Sequence, residues 1–109
     1  MQVYALTTCD TCRKALTALR AAGHAPEVID IRRDGVPAAV LAEMLVALGP
    51  DRLVNRRSTT WRGLSEMEKE APAERVLADH PTLIKRPVIR DGDRWHAGWD
   101  AEVRRDLLG

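Results

Sequence analysis

The stretch Val3-Tyr4-Ala5-Leu6-Thr7-Thr8-Cys9-Asp10-Thr11-Cys12-Arg13-Lys14-Ala15-Leu16-Thr17-Ala18-Leu19 decides how this chain reads. It opens on a short apolar run and reaches Cys9 and Cys12, the only cysteines present. Cys12, Ala15, Leu16, Leu19 and Ala22 then recur at helical spacing, and Gly23 suits the position just past a helix C-terminus. A strand over 2–6, a CxxC and a helix form the context in which a dithiol reads as redox chemistry. Cys9 falls at the helix N-terminus, where the unpaired N–H groups of Thr11 and Cys12 and the helix dipole favour a thiolate. Arg13 and Lys14 add positive charge there, and Asp10 opposes it. Cys9 is therefore the candidate nucleophile. Cys12, one turn on, is placed to attack a mixed disulfide on Cys9 and release the product. Two other readings stand beside this one. A zinc site needs about four ligands, and His24, His80 and His96 are scattered without ligand spacing. A pair of unreactive thiols, with Cys12 facing the core, is the other.

Outward from this stretch, Pro26 opens a second strand over 27–31, and Asp34-Gly35 turns the chain. Pro37 starts a helix with Val40, Leu41, Met44, Leu45 and Leu48 as its apolar stripe, which Gly49-Pro50 stops. Leu53-Val54 reads as buried, and residues 55–63 read as a loop. Ser65-Glu66-Met67-Glu68 has the capping-box pattern, and a further helix runs from Pro72 to about His80, ended by Pro81. Residues 88–90 and 94–96 form a hairpin around Asp91-Gly92-Asp93, and Asp100 caps a last helix with Val103, Leu107 and Leu108 inward. The order is β-α-β, a helical insertion, then β-β-α: one α/β domain over 1–109 with a mixed four-stranded sheet. The β-α-β half requires a right-handed crossover and a parallel strand pair.

The 109 residues carry a formal net charge of +1, which gives no overall field for nucleic acid or an anionic membrane. No apolar segment approaches the roughly 20 residues of a membrane helix. Met1-Gln2-Val3-Tyr4 enters a strand pattern at once, so no signal peptide is expected. A cytoplasmic protein follows, in which a structural disulfide is not expected. No tightly bound cofactor or metal is implied. Arginine outnumbers lysine 14 to 3, and guanidinium binds oxyanions in a two-pronged fork. The cluster Asn55-Arg56-Arg57-Ser58-Thr59-Thr60-Trp61-Arg62 suits an oxyanion or carboxylate, or else forms a solvated basic loop with Trp61 tucked inward. Trp61, Trp95 and Trp99 read as packing residues, and the three histidines receive no catalytic role.

Together, residues 4–15, 55–64 and 80–89 and the pair Gly98-Trp99 resemble the arsenate-reductase-like (ArsC/Spx/YffB) branch of the thioredoxin superfamily. The segments "TTWR" and "KRP" downstream of a CxxC carry the resemblance across nearly the whole chain, closest to small YffB-like members. It implies a thioredoxin-like fold, Cys9 as the family nucleophile, and a cis peptide at Arg86-Pro87 packed against the CxxC. It also implies that Arg86 and Arg57 hold an oxyanion, with Arg56 the alternative if the register shifts by one. The arsenate reductases carry a third arginine where this chain reads Ala97-Gly98-Trp99, so arsenate itself fits less well than a thiol substrate.

The expected activity is a thiol-dependent reductase acting on a small thiol or oxyanion, with glutathione as co-substrate and glutaredoxin or thioredoxin as reductant. The alternative is an Spx-like regulator that binds RNA polymerase and is switched by Cys9–Cys12 oxidation. A chain ending at Gly109, directly after its last helix, leaves no regulatory extension and favours the enzyme. A binding-only thioredoxin-fold module is the third reading.

Overall fold

The computed structural model describes residues 1–109. Strand β1 (Gln2–Ala5) leads into helix α1 (Asp10–Ala21) and returns as strand β2 (Glu27–Asp30). Helices α2 (Ala38–Leu48), α3 (Pro50–Leu53), α4 (Thr59–Arg62), α5 (Glu66–Glu70) and α6 (Ala73–Asp79) follow. A 3-10 turn (Pro81–Leu83), strands β3 (Val88–Asp91) and β4 (Arg94–Ala97), and helix α7 (Ala101–Leu108) complete the chain. The sheet order is β2-β1-β3-β4, with β1 parallel to β2 and antiparallel to β3, and β3 antiparallel to β4. This is the expected α/β, thioredoxin-like arrangement.

Alternation along the strands divides the core between the two faces of the sheet. Val3, Ala5 and Ile89 join Cys12 and Leu19 of α1 and Val103 and Leu107 of α7 on one face. Tyr4, Leu6 and Val88 join Leu41, Met44 and Leu48 of α2 and Val76 and Leu77 of α6 on the other. Gly23 ends α1 at φ +93°, and Asp100 caps α7 by accepting the Val103 N–H at 2.9 Å. Ser65 and Glu68 close the capping box of α5 in both directions.

Three local expectations change. Gly49-Pro50 ends α2 but does not end helix: proline is tolerated at a first helical position, and α3 starts there. Residues 55–63 are not all loop. Ser58 accepts the Trp61 N–H at 3.2 Å and caps the one-turn α4. Leu108 is 38% exposed, whereas Val103 and Leu107 face the sheet. At the end of a short last helix it falls off the buried stripe.

A single bridge outside the sheet, Val54 to Ile84, organises the insertion. Asn55 N–H donates to Leu83 O at 2.8 Å, and Lys85 N–H donates to Leu53 O at 2.7 Å. Leu53, Leu83 and Ile84 are almost fully buried around it. Leu83→Ala is expected to destabilise the fold by about 2–5 kcal/mol, through lost burial and a residual cavity. Chemical denaturation measures this, and a change under about 0.5 kcal/mol, the range of an ordinary surface substitution, would contradict the packing.

Candidate active site

Cys9 is the N-cap residue of α1, with extended backbone (φ −91°, ψ 115°). It is partly exposed and packs against both core clusters, at the end of β1 where they meet. Its side chain makes no ordinary capping hydrogen bond. Burial raises its pKa, but the Cys12 backbone N–H, the Cys12 thiol and the Arg86 guanidinium together outweigh burial and bring it below 9.0. Cys12 is 1% exposed on the inner face of α1. Burial first, and then the thiolate character of Cys9, push its thiol up to about 12. Both thiols are free, and the pair titrates unequally: Cys9, lowered, ionises before Cys12, raised.

The charge that acts on Cys9 comes from across the fold. Arg13, expected to help, forms an ion pair with Asp10 one turn along the exposed side of α1. Arg86 takes that role. Its Nη1 donates to Thr82 O at 2.8 Å, which holds the side chain against the 3-10 turn, while its Nε is buried without a partner. The next peptide, Arg86–Pro87, is cis, and Pro87 is fully buried. β3 begins immediately afterwards and pairs with β1 (Tyr4 opposite Val88), which places the Arg86–Pro87 turn beside the end of β1 and Cys9.

The basic cluster divides. Arg56 Nη1 reaches Asp51 Oδ1 at 2.9 Å, and its guanidinium lies 5.5 Å from the Trp61 ring centroid. Arg57 forms no ion pair, and its backbone N–H is fixed by Asn55 Oδ1 at 3.2 Å. The structure thus brings Cys9, Cys12 and Arg86 together, with Pro87 buried next to Arg86. Arg57 lies exposed in the loop after the Val54–Ile84 bridge, and Arg56 is committed to the Asp51 carboxylate. Trp61, Trp95 and Trp99 all pack against the core. The histidines lie apart: His24 bonds Leu107 O, His80 bonds Glu68, and His96 lies 4.0 Å from Asp106.

The ArsC family profile matches residues 4–107. The chain belongs to the ArsC family. An uncharacterised protein of Haemophilus influenzae is 44% identical over 95 residues, 83% of each chain. The solved structure of a protein described as YffB superposes with a TM-score of 0.91 at 28% identity, covering 99% of this chain and 98% of that one. The global transcriptional regulator Spx 2 of Oceanobacillus iheyensis is 27% identical over 106 residues, 93% of this chain and 78% of the regulator. This ArsC-family chain is thus similar both to a protein described as YffB and to a regulator named Spx 2. No helix in it is long and apolar enough to cross a membrane.

The two thiols of this ArsC protein should separate cleanly under alkylation. Cys9 is expected to react with iodoacetamide at neutral pH, with a rate that rises with pH and reaches half its plateau at lower pH than an ordinary thiol does. Buried Cys12, with its thiol pushed up to about 12, should remain unmodified in the folded protein. Peptide mass mapping across a pH series checks both. Equal labelling of the two thiols would contradict the geometry.

Proposed function

We propose that this protein is a thiol-dependent reductase in which Cys9 attacks an oxidised sulfur or a bound oxyanion. The observation that carries the reading is the Arg86 guanidinium, brought by the buried Arg86–Pro87 turn to a thiol at a helix N-terminus. Arginine there has two effects: it favours the thiolate and offers donors to a negatively charged group. The buried Nε of Arg86 has no partner within the chain, and a bound anion would satisfy it.

With a disulfide substrate RS–SR′, the Cys9 thiolate displaces R′S⁻ and forms Cys9–S–SR. The Cys12 thiol passes its proton towards the leaving sulfur and attacks Cys9, releasing the second thiol and forming Cys9–Cys12. The substrate is reduced by two electrons and the dithiol is oxidised. Glutathione, or a glutaredoxin or thioredoxin, then returns the dithiol to its reduced form. In a second route, glutathione itself resolves the mixed disulfide and Cys12 acts only by holding Cys9.

A turnover screen of arsenate, mixed disulfides and small oxidants, coupled in turn to glutathione and to thioredoxin, tests the reading. Reduction of at least one class, dependent on Cys9, is expected. No turnover with any pair would overturn it. The likeness to regulators named Spx favours one alternative, a redox-switched partner of RNA polymerase. A firm, oxidation-dependent complex with the polymerase α subunit would select that alternative.

A further inference from the structure

The sheet stops at β4, whose outer side carries no further strand. Gly98 N–H donates to Pro87 O at 2.8 Å, which fixes the phase of the β3–β4 ladder. In that phase Ile89 and His96 bond each other, and the next residues on either side, Trp95 and Ala97, turn their N–H and C=O groups away from β3. No other part of the backbone bonds either residue. Such a row of free main-chain groups is a template for one more strand. Trp95 and Ala97 are half-buried and line an open cavity of about 440 Å³, with Leu48 of α2 and Glu102 and Asp106 of α7 among its other walls.

The charges around this cavity are unequal. Asp51, Asp100, Glu102 and Asp106 face two cations, Arg52 and Lys85. Asp51 is held by Arg56 at 2.9 Å, and Asp100 caps α7. Glu102 and Asp106 lie one turn apart on α7, and neither pairs with a lysine or arginine. Like charges at this spacing repel, so a cation brought against them relieves the helix. His96 stands at the same wall. Its side chain is 10% exposed and makes no hydrogen bond; Asp106 Oδ2, at 4.0 Å from Nδ1, is beyond that range. A polar ring so nearly buried without a partner is a group that an incoming donor or acceptor would satisfy.

We propose that the free edge of β4 takes an extended segment of a partner protein as a fifth, antiparallel strand, with lysine or arginine at every second position. Alternation sets the pattern. Trp95 and Ala97 pack on the α2 side of the sheet, and His96 faces α7. Partner residues opposite Trp95 and Ala97 share their side, beside Leu48, and are apolar. The residues between them face Glu102 and Asp106 and are cationic. A second copy of this chain fits poorly there, because it would bring the same excess of carboxylates. The surface is separate from Cys9, and the proposal stands independently of the thiol chemistry.

The test is a titration of the full chain with an octapeptide of alternating lysine and valine, read by fluorescence polarisation and by amide NMR. Binding is expected to shift the Trp95 and Ala97 amides and to protect them from hydrogen exchange. In such a strand the valine N–H groups point at β4 and the lysine N–H groups point away. N-methylation of the valines should therefore weaken binding at least about tenfold, and N-methylation of the lysines should leave it unchanged. The double variant Glu102→Gln with Asp106→Asn should weaken it about fivefold at low ionic strength, with the gap closing as salt rises. An unchanged Cys9 alkylation rate shows that this variant is folded. No binding of the lysine–valine peptide, equal binding of a glutamate–valine peptide, or equal loss on either N-methylation would overturn the proposal. So would protection of Trp95 and Ala97 that grows with protein concentration alone, which would assign the edge to a second copy.

Discussion

Replacing Cys9 with serine is expected to reduce turnover to background, a loss of at least about three orders of magnitude, as removal of a covalent nucleophile does elsewhere. A serine hydroxyl carries no useful anion near neutral pH and cannot form the mixed disulfide. The position makes this a clean experiment. Cys9 is the N-cap residue of α1 and presents the Cys12 N–H with sulfur, a weaker acceptor than a hydroxyl oxygen. Serine is among the best N-cap residues, so Cys9→Ser should fold as well as the native chain or better. Loss of activity with an unchanged or raised Tm would isolate chemistry from folding. Full activity in the variant would end the proposed mechanism. Cys12→Ser, the companion variant, should still form a stable mixed disulfide on Cys9, detectable by intact mass, and should lose only the step that releases it.

Arg86→Met carries the second large effect, about 10²-fold in kcat/KM, in the range seen when a single donor to a developing anion is removed. Two causes contribute. The guanidinium is one of the groups that hold the Cys9 thiol below 9.0, so without it the pKa rises and less thiolate is present at neutral pH. The fork that would bind an anionic group beside the sulfur is lost as well. The two causes separate by measurement. Alkylation by neutral iodoacetamide reports only the thiolate, and its pH profile should move to higher pH in the variant. Arg86→Lys should restore the profile better than the turnover, because it returns charge without the fork. An unmoved profile in Arg86→Met would exclude Arg86 as the source of the shift. Folding should suffer little: methionine forgoes the bond to Thr82 O but also removes a buried Nε with no partner.

The sheet and its flanking helices were legible in the sequence because their signals are local and repeated. Helical spacing through Leu19, glycine at 23, proline at 37 and the Asp91-Gly92-Asp93 turn each constrain the backbone independently of tertiary context. The insertion was less legible. Helices of four residues, such as α3 and α4, are too short to show a period. One isolated bridge has no alternation to read. From the residues alone, without the resemblance, the source of the charge at Cys9 was not legible, for a related reason. Arg13 is close to Cys9 in sequence, but on the helix surface it finds Asp10 first. The cation that matters comes from residue 86, and only the pairing of β1 with β3 brings it near.

The bridge also couples the arginine loop to the core. Two backbone hydrogen bonds, from Asn55 and Lys85, stand between that loop and the segment leading to Pro87. Leu53, Val54, Leu83 and Ile84, which flank these bonds, are buried in the larger core cluster, so the two segments cannot part without exposing apolar surface to water. The clasp and the core open together, and any change that loosens this packing also loosens the segment that carries Arg86.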